Sequence, residues 1–257
     1  MMENMGLRVI SEHPYKVDAE DGVCFIQDFE VESLQGELDI DAIDANFEDA
    51  FARIWRGDAE NDGFNRLVLA AGLSWKQVAM LRGYCKYLLQ IGVPFSQSYV
   101  EATLARYPLL SRLLVELFEA RFDPSTGKES DAQLTQGMSR FGAQLKSLAA
   151  GDEAAMAALK SVVEARAKGR DTQVEAARNA LLGLMDRVSS LDEDRILRSF
   201  IGVIDATLRT SYYVAYKDGV RKDGGPSDYV SYKLDSSMVP DLPKPRPYRE
   251  IWVCGPR

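Results

Sequence analysis

The chain has 257 residues, 46% apolar and 27% charged, with a formal net charge of −8; this is the make-up of an ordinary globular protein long enough to bury a substantial core. The acidic balance argues against duplex nucleic acid as a general partner, because phosphate binding needs a basic face. No apolar run approaches the ~18 residues of a membrane span, and Met1–Ile10, with Glu3 and Arg8, lacks the apolar stretch of a secretory signal. Cys24, Cys85 and Cys254 are scattered and odd in number. That pattern suits a reducing cytoplasm, with each thiol a small buried hydrophobe rather than part of a disulfide framework or zinc cluster.

The first stretch reads as β. Leu7–Ile10 and Val23–Ile26, with Phe29 and Val31 beyond, are short β-compatible runs separated by the turn-forming cluster Asp18–Gly22. A helix follows, in which Ile40, Ile43, Phe47, Phe51 and Ile54 share one face. Asp39, Asp41 and Asp44 sit near its start, where the helix dipole favours negative charge, and Gly57 offers a stop. Two strands and a helix make half of a small α+β sandwich.

From Glu60 to Asp123 the pattern is helical throughout. Ser74 and Gln77 form a capping box ahead of the stripe Val78, Leu81, Cys85, Leu88; Ser98 and Glu101 form a second box before Leu104. After Pro108 the run Leu109, Leu110, Leu113, Leu114, Leu117, Phe118 predicts a helix buried on much of its circumference. Asp123–Gly127 is a break. Ser130–Leu191, rich in strong helix formers, reads as three antiparallel helices, the third capped by Thr172 and Glu175. Asp192, with Leu191 and Ile196 as a staple, opens a helix that carries Phe200, Ile201, Val203, Ile204 and Leu208 and runs out near Tyr212–Tyr216. Lys217–Asp228 reads as a mobile loop, Tyr229–Leu234 as a strand, Pro240–Pro247 as extended polyproline-like chain, and Tyr248–Cys254 as a strand again. The expected architecture is mainly α, with about 60–65% helix against a ~30–35% base rate. It is an antiparallel helical bundle with a small β portion contributed by the N-terminal and C-terminal segments.

The chain carries neither a G-x-G-x-x-G nor a G-x-x-x-x-G-K-[ST] motif. The single histidine, His13, cannot supply a zinc site and has no triad context. Arg195, Arg198 and Arg209 read as a solvated or salt-bridged face, and most of the 39 acidic residues fall on polar helix faces. No catalytic, cofactor-binding or metal-ligating residue is therefore assigned. One feature stands apart: Gly63–Val100 holds no Asp or Glu, and its ionised side chains are Arg66, Lys76, Arg82 and Lys86. Three readings stay open for it. It is a helical hairpin whose few charges happen to be basic, a docking surface for an acidic neighbour with Trp75, Tyr84, Tyr87 and Tyr99 exposable, or an anion site.

As text, Asn61–Val68, Leu73–Trp75, Ala79–Arg82, Tyr84–Gln90, Pro94–Val100 and Leu117–Pro124 resemble the large bacterial NAD-specific glutamate dehydrogenases. The resemblance resumes at Asp192–Arg198, Ala206–Tyr213, Ser231–Asp235 and Val239–Ile251. It covers most of the chain in the same order and is weakest over Ser130–Leu191. In that family such a region lies between ACT-like regulatory modules and the catalytic domain. The resemblance implies the tail of an ACT-like module over 1–57, a helical bundle over 58–216, and a loop, proline-rich connector and strands over 217–257 leading into the catalytic domain. It also implies that the family's glycine-rich, lysine-bearing substrate site and its nucleotide-binding domain follow Arg257, so NAD belongs to the parent enzyme and no cofactor to this segment. The expected partners are the remaining domains of the same polypeptide, in a cytoplasmic homo-oligomer, with no nucleic acid and no membrane. The competing reading is a free-standing helical protein-interaction module. Tyr248–Cys254, apolar on alternate residues, is expected to pair with the N-terminal strands or a second copy, or to be poorly ordered, with the proline-rich connector holding it off the bundle.

Overall fold

The computed structural model describes residues 1–19, 22–34, 40–126, 142, 148–149, 151–214 and 229–255. Alternation of β-branched and aromatic residues builds a long antiparallel ribbon from β1 (Leu7–Ala19) and β2 (Gly22–Ser33), in register from Leu7 opposite Ser33 to Ala19 opposite Gly22, with a bulge between Val9 and Ser11. Both strands are longer than the four-residue runs predicted, because polar residues continue the pairing past the apolar ones. Cys24 is exposed on this ribbon rather than buried, and His13 lies in β1 opposite Asp28. Helix α1 (Ile40–Trp55) follows and buries Ile54, with Phe47 and Phe51 packed against the core. Of its predicted acidic start, Asp39 lies outside the described residues, and Asp41 and Asp44 fall in the first two turns of α1.

Four helices make the centre: α2 (Arg66–Ala70), α3 (Trp75–Gln90), α4 (Gln97–Arg106) and α5 (Pro108–Phe122). The Ser74–Gln77 box forms as read. The Gln77 amide N–H reaches Ser74 Oγ at 3.4 Å, and the Ser74 N–H donates to Gln77 Oε1 at 2.9 Å. The cap of α4 is Ser96, not Ser98: Ser96 Oγ accepts the Tyr99 N–H at 3.2 Å, so the helix starts two residues early. In α5, Leu110, Leu113, Leu114, Leu117 and Phe118 are all buried, which makes it the axis of the core.

Next come α6 (Glu153–Ala165) and α7 (Arg170–Met185), folded back on each other across a short 3-10 turn. The first of the three helices predicted here lies outside the described residues. Thr172 does not cap α7. Gly169, at φ 94°, lets the helix begin at Arg170, whose guanidinium binds the Ala120, Arg121 and Asp123 carbonyls at the end of α5. Helix α8 (Leu191–Ala206) is capped by Ser190 rather than Asp192, and Leu191 is exposed, so no staple forms. It also ends earlier than predicted. Thr207 turns its Oγ1 onto the Val203 carbonyl at 2.8 Å, and the chain leaves as a strand. Helices occupy 55% of the described residues.

The second sheet has the order β3-β4-β5, all antiparallel: β3 (Thr207–Thr210), β4 (Val230–Leu234) and β5 (Glu250–Cys254). This corrects the expectation for the C-terminal strand. It pairs with β4, Val230 opposite Cys254 through Leu234 opposite Glu250, and lies on α3 rather than apart from the bundle. The N-terminal ribbon is a separate sheet. The proline-rich segment is not extended either. Arg246 draws it into a compact loop by binding the Leu242 and Ser237 carbonyls at 3.1 and 3.0 Å. Residues 217–228, predicted as a loop, lie outside the described residues.

Pro240, in this loop, packs on α8 at Gly202. A Cβ there would collide with the Pro240 Cγ and come within 3.0 Å of its Cδ. Gly202→Ala would gain about 1 kcal/mol of helix propensity on an open helix. Against a proline ring the overpacking cost of about 1–3 kcal/mol wins. We expect a lower denaturant midpoint with an unchanged slope; a raised midpoint would show that the loop does not press on α8.

Candidate functional site

Helix α3 is buried on two faces, and each has a distinct job. On one face it sends Val78, Leu81 and Leu88 into the core. The second face carries Met80, Gly83, Tyr84 and Tyr87 and receives the three-stranded sheet. There Tyr84 and Tyr232 stack with centroids 4.5 Å apart, and the Tyr84 hydroxyl meets Thr207 Oγ1 at 2.9 Å. The Tyr87 hydroxyl donates to Glu250 at 2.6 Å, and Trp252 Nε1 donates to the Gly83 carbonyl at 3.0 Å. Gly83 is required by the closeness of this docking, since a Cβ would lie 2.7 Å from Cys254 Sγ. From α5, the Arg121 guanidinium binds the Asp205 and Thr207 carbonyls at 3.1 and 3.0 Å. Burial pushes Tyr84 well above the usual phenol range, the Thr207 hydrogen bond only partly opposing it. Burial and the Glu250 carboxylate do the same to Tyr87. Tyr84 and Tyr87, predicted as exposable, are core residues.

The basic residues of α3 line a cleft of about 760 Å³, counting its solvent-open side, between Asp58–Glu60, Trp75, Tyr212, Tyr229 and Cys254. Two cations of this acid-free stretch, Arg82 and Lys86, are paired by acids just ahead of it. Arg82 makes a two-pronged contact to Asp62 at 2.7 and 2.9 Å and reaches Asn65 Oδ1 at 2.8 Å, and Lys86 pairs with Glu60. Lys76 lies over the Trp75 ring, 5.7 Å from its centroid. Elsewhere Arg198 is held by Asp194 at 2.8 Å and Arg195 lies over Phe95, as expected of a salt-bridged face. Burial raises Cys85 to about 12 and Cys254 to about 11, so neither thiol is a ready nucleophile at neutral pH.

Of the cleft's cations Arg82 and Lys86 are committed to carboxylates, Asp58 and Glu60 would face a pyrophosphate placed there, and among the described residues no glycine-rich turn opens a helix onto it. Among the described residues, no three His, Cys, Asp or Glu side chains converge as a metal site requires. Nor, among them, is any helix long and apolar enough to cross a membrane.

Three family models match the chain in succession. The glutamate dehydrogenase ACT3 domain matches residues 1–43, glutamate dehydrogenase helical motif 3 matches 59–124, and the bacterial NAD-glutamate dehydrogenase catalytic domain matches 180–257. All of the chain aligns with the NAD-specific glutamate dehydrogenase of Halomonas elongata at 40% identity, covering 13% of that protein. The chain is similar along its whole length to one part of the bacterial NAD-specific glutamate dehydrogenases. The enzyme of that name from Pseudomonas aeruginosa is 35% identical with 13% covered, and that from Mycobacterium tuberculosis 36% identical with 14% covered. The chain thus spans about one seventh of the length of these dehydrogenases.

In family terms, β1 and β2 fall within the ACT3 match, α2–α5 within the helical motif, and α8 with the three-stranded sheet within the catalytic-domain match. The sheet's docking on α3 is therefore a contact between two family units. The catalytic-domain match starts at residue 180, inside α7, whereas the sequence reading divides the chain at residue 217. The earlier start has a signal in the sequence, since the family resemblance resumes at Asp192–Arg198.

Proposed function

We propose that this segment is a non-catalytic connector of an NAD-dependent glutamate dehydrogenase. The whole polypeptide would convert L-glutamate, NAD and water into 2-oxoglutarate, ammonia and NADH. One observation carries the reading: the strands of the catalytic-domain match are pinned to the helical motif by side chains spread over its whole contact. Tyr84 holds Thr207 at one side, and Tyr87 and Trp252 hold β5 at the other. A connector has to transmit position between domains, and buried aromatic stacking with hydrogen bonds at both margins gives it the stiffness to do so.

No residue here is assigned to catalysis, cofactor binding or a metal, and the partners are the remaining domains of the same polypeptide. Calorimetric titration of the chain with NAD tests the reading. We expect no binding tighter than about 100 μM, or roughly 5.5 kcal/mol, and no glutamate turnover. A dissociation constant below that, or NAD reduction by the chain alone, would overturn it.

A further inference from the structure

Two halves of a hydrogen bond lie in one corner of the core without being joined. Glu119, near the end of α5, accepts from Gln77 Nε2 through its Oε1 at 2.6 Å, and among the described residues its Oε2 has no hydrogen-bond partner. Tyr213, three residues past the end of β3, has the complementary lack: its hydroxyl oxygen is buried and has no partner among them either. Phe118, the residue before Glu119, joins the two sites. Its ring centroid lies 5.2 Å from that of Tyr212 and 6.3 Å from that of Tyr213, and the two tyrosines meet edge-on at 4.8 Å. Of the charges that act on either phenol, Glu119 is the largest.

A buried phenol without an acceptor is costly, and a carboxylate taken out of water needs several donors once it is charged. The other groups around this corner do not supply them. Among the described residues these are Glu116 and Arg112 of α5, Asp123 just after it, and Arg166 of the 3-10 turn after α6; α3 contributes only the neutral Gln77. Both arginines hold Glu116, at 2.9 and 2.6 Å. While Glu119 is neutral, which burial and Glu116 favour, the Gln77 amide is donor enough. Once ionised it needs a second donor, and the Tyr213 O–H is the one left over. Such a charge-assisted bond is about twice as strong as a neutral one. The phenols themselves stay neutral across this change, since burial holds both above the usual range.

We propose that Glu119 and Tyr213 form a proton-operated latch: loss of the Glu119 proton draws the Tyr213 hydroxyl onto Oε2, and its return releases it. The latch joins α5, within the helical-motif match, to the exit of β3, within the catalytic-domain match. Tyr212, packed on Tyr213, lines the cleft on α3, so the proton sets the position of one cleft wall.

Carbon-13 NMR titration of the Glu119 carboxyl tests the latch in the chain as it stands. Tyr213→Phe removes only the hydroxyl and is expected to lower the acid dissociation constant of Glu119 by about fivefold or more, because the ionised form loses its second donor. Tyr212→Phe removes the neighbouring hydroxyl and is expected to leave that constant unchanged. No change in Tyr213→Phe, or an equal fall in both variants, overturns the proposal. A second readout leaves Tyr213 in place. The near-ultraviolet circular dichroism of the wild type is expected to change across the Glu119 titration, as the Tyr213 ring shifts against Phe118, and Glu119→Gln is expected to abolish the change. A tyrosine signal that stays flat through that titration, or that titrates equally in Glu119→Gln, overturns the latch as well.

Discussion

Asp62→Ala is expected to cost about 3–5 kcal/mol, the range for removing one partner of a buried ion pair, and to lower Tm by roughly 10 °C. The Arg82 side chain is 5% exposed and that of Asp62 16%. Without the carboxylate, the guanidinium keeps only Asn65 Oδ1 at 2.8 Å and the Glu60 carbonyl at 3.4 Å. The same substitution removes the oxygen that accepts the Phe64 N–H at 3.1 Å, uncapping the 3-10 turn Gly63–Asn65. Arg82→Met is expected to cost less, because the Asp62 carboxylate left behind is nearer water and can hydrate. The double variant should then recover part of the Asp62→Ala loss, since it leaves no buried cation. Thermal unfolding of the three variants decides the matter. Equal losses in the two single variants would mean that packing, not the uncompensated charge, sets the cost.

This pair also shows where the sequence could and could not be read. The absence of acids over Gly63–Val100 is visible at once, and it invites an acidic partner. The partners are Asp62 and Glu60, immediately before the stretch, brought onto α3 because the 3-10 turn folds residues 60–65 back across it. Spacing along the chain carries no information about that return. The stripe of α3 through Val78, Leu81, Cys85 and Leu88 was legible by its period. Its second buried face was not, because Tyr84 and Tyr87 are amphipathic and suit an interface equally well.

Element type was legible wherever a period ran long, as in α5 and α8, and boundaries failed where a tertiary contact intervened. Thr207 ends α8 because Tyr84 and β4 receive it, and nothing local in Thr-Leu-Arg-Thr forbids another turn of helix. Arg170 starts α7 by docking on the end of α5, which overrides the Thr172 signal. The C-terminal strand was recognised by its alternation, but its partner was misjudged. Fifteen residues of turn, closed by Arg246, bring it back beside β4, and proline content alone does not reveal a folded loop. The groups that meet at the α3–sheet contact come from positions as far apart as Gly83, through its carbonyl, and Trp252.

The second large effect is a pH dependence centred on Glu119. Its carboxylate accepts from Gln77 Nε2 at 2.6 Å, the same side chain whose oxygen closes the α3 capping box. Burial raises it from 4.5 to about 7, Glu116 one turn before pushes the same way, and Arg112, the Gln77 hydrogen bond and Arg166 only partly oppose this. Those arginines are already engaged, since Arg112 and Arg166 hold Glu116 at 2.9 and 2.6 Å. Between about 4.5 and 7 the folded chain therefore binds a proton that the unfolded chain has released. Stability from this group is fully present below 4.5 and is lost as pH rises through 7. A shift of this size corresponds to about 3 kcal/mol. Glu119→Gln keeps the neutral form's shape and its contact with Gln77 but cannot ionise. We expect the variant to match the wild type near pH 4.5 and to exceed it by about that amount at pH 8, in denaturant titrations at fixed ionic strength. Parallel curves for the two proteins from pH 4.5 to 8 would show that Glu119 is ionised throughout, its charge met by Arg112 and Arg166.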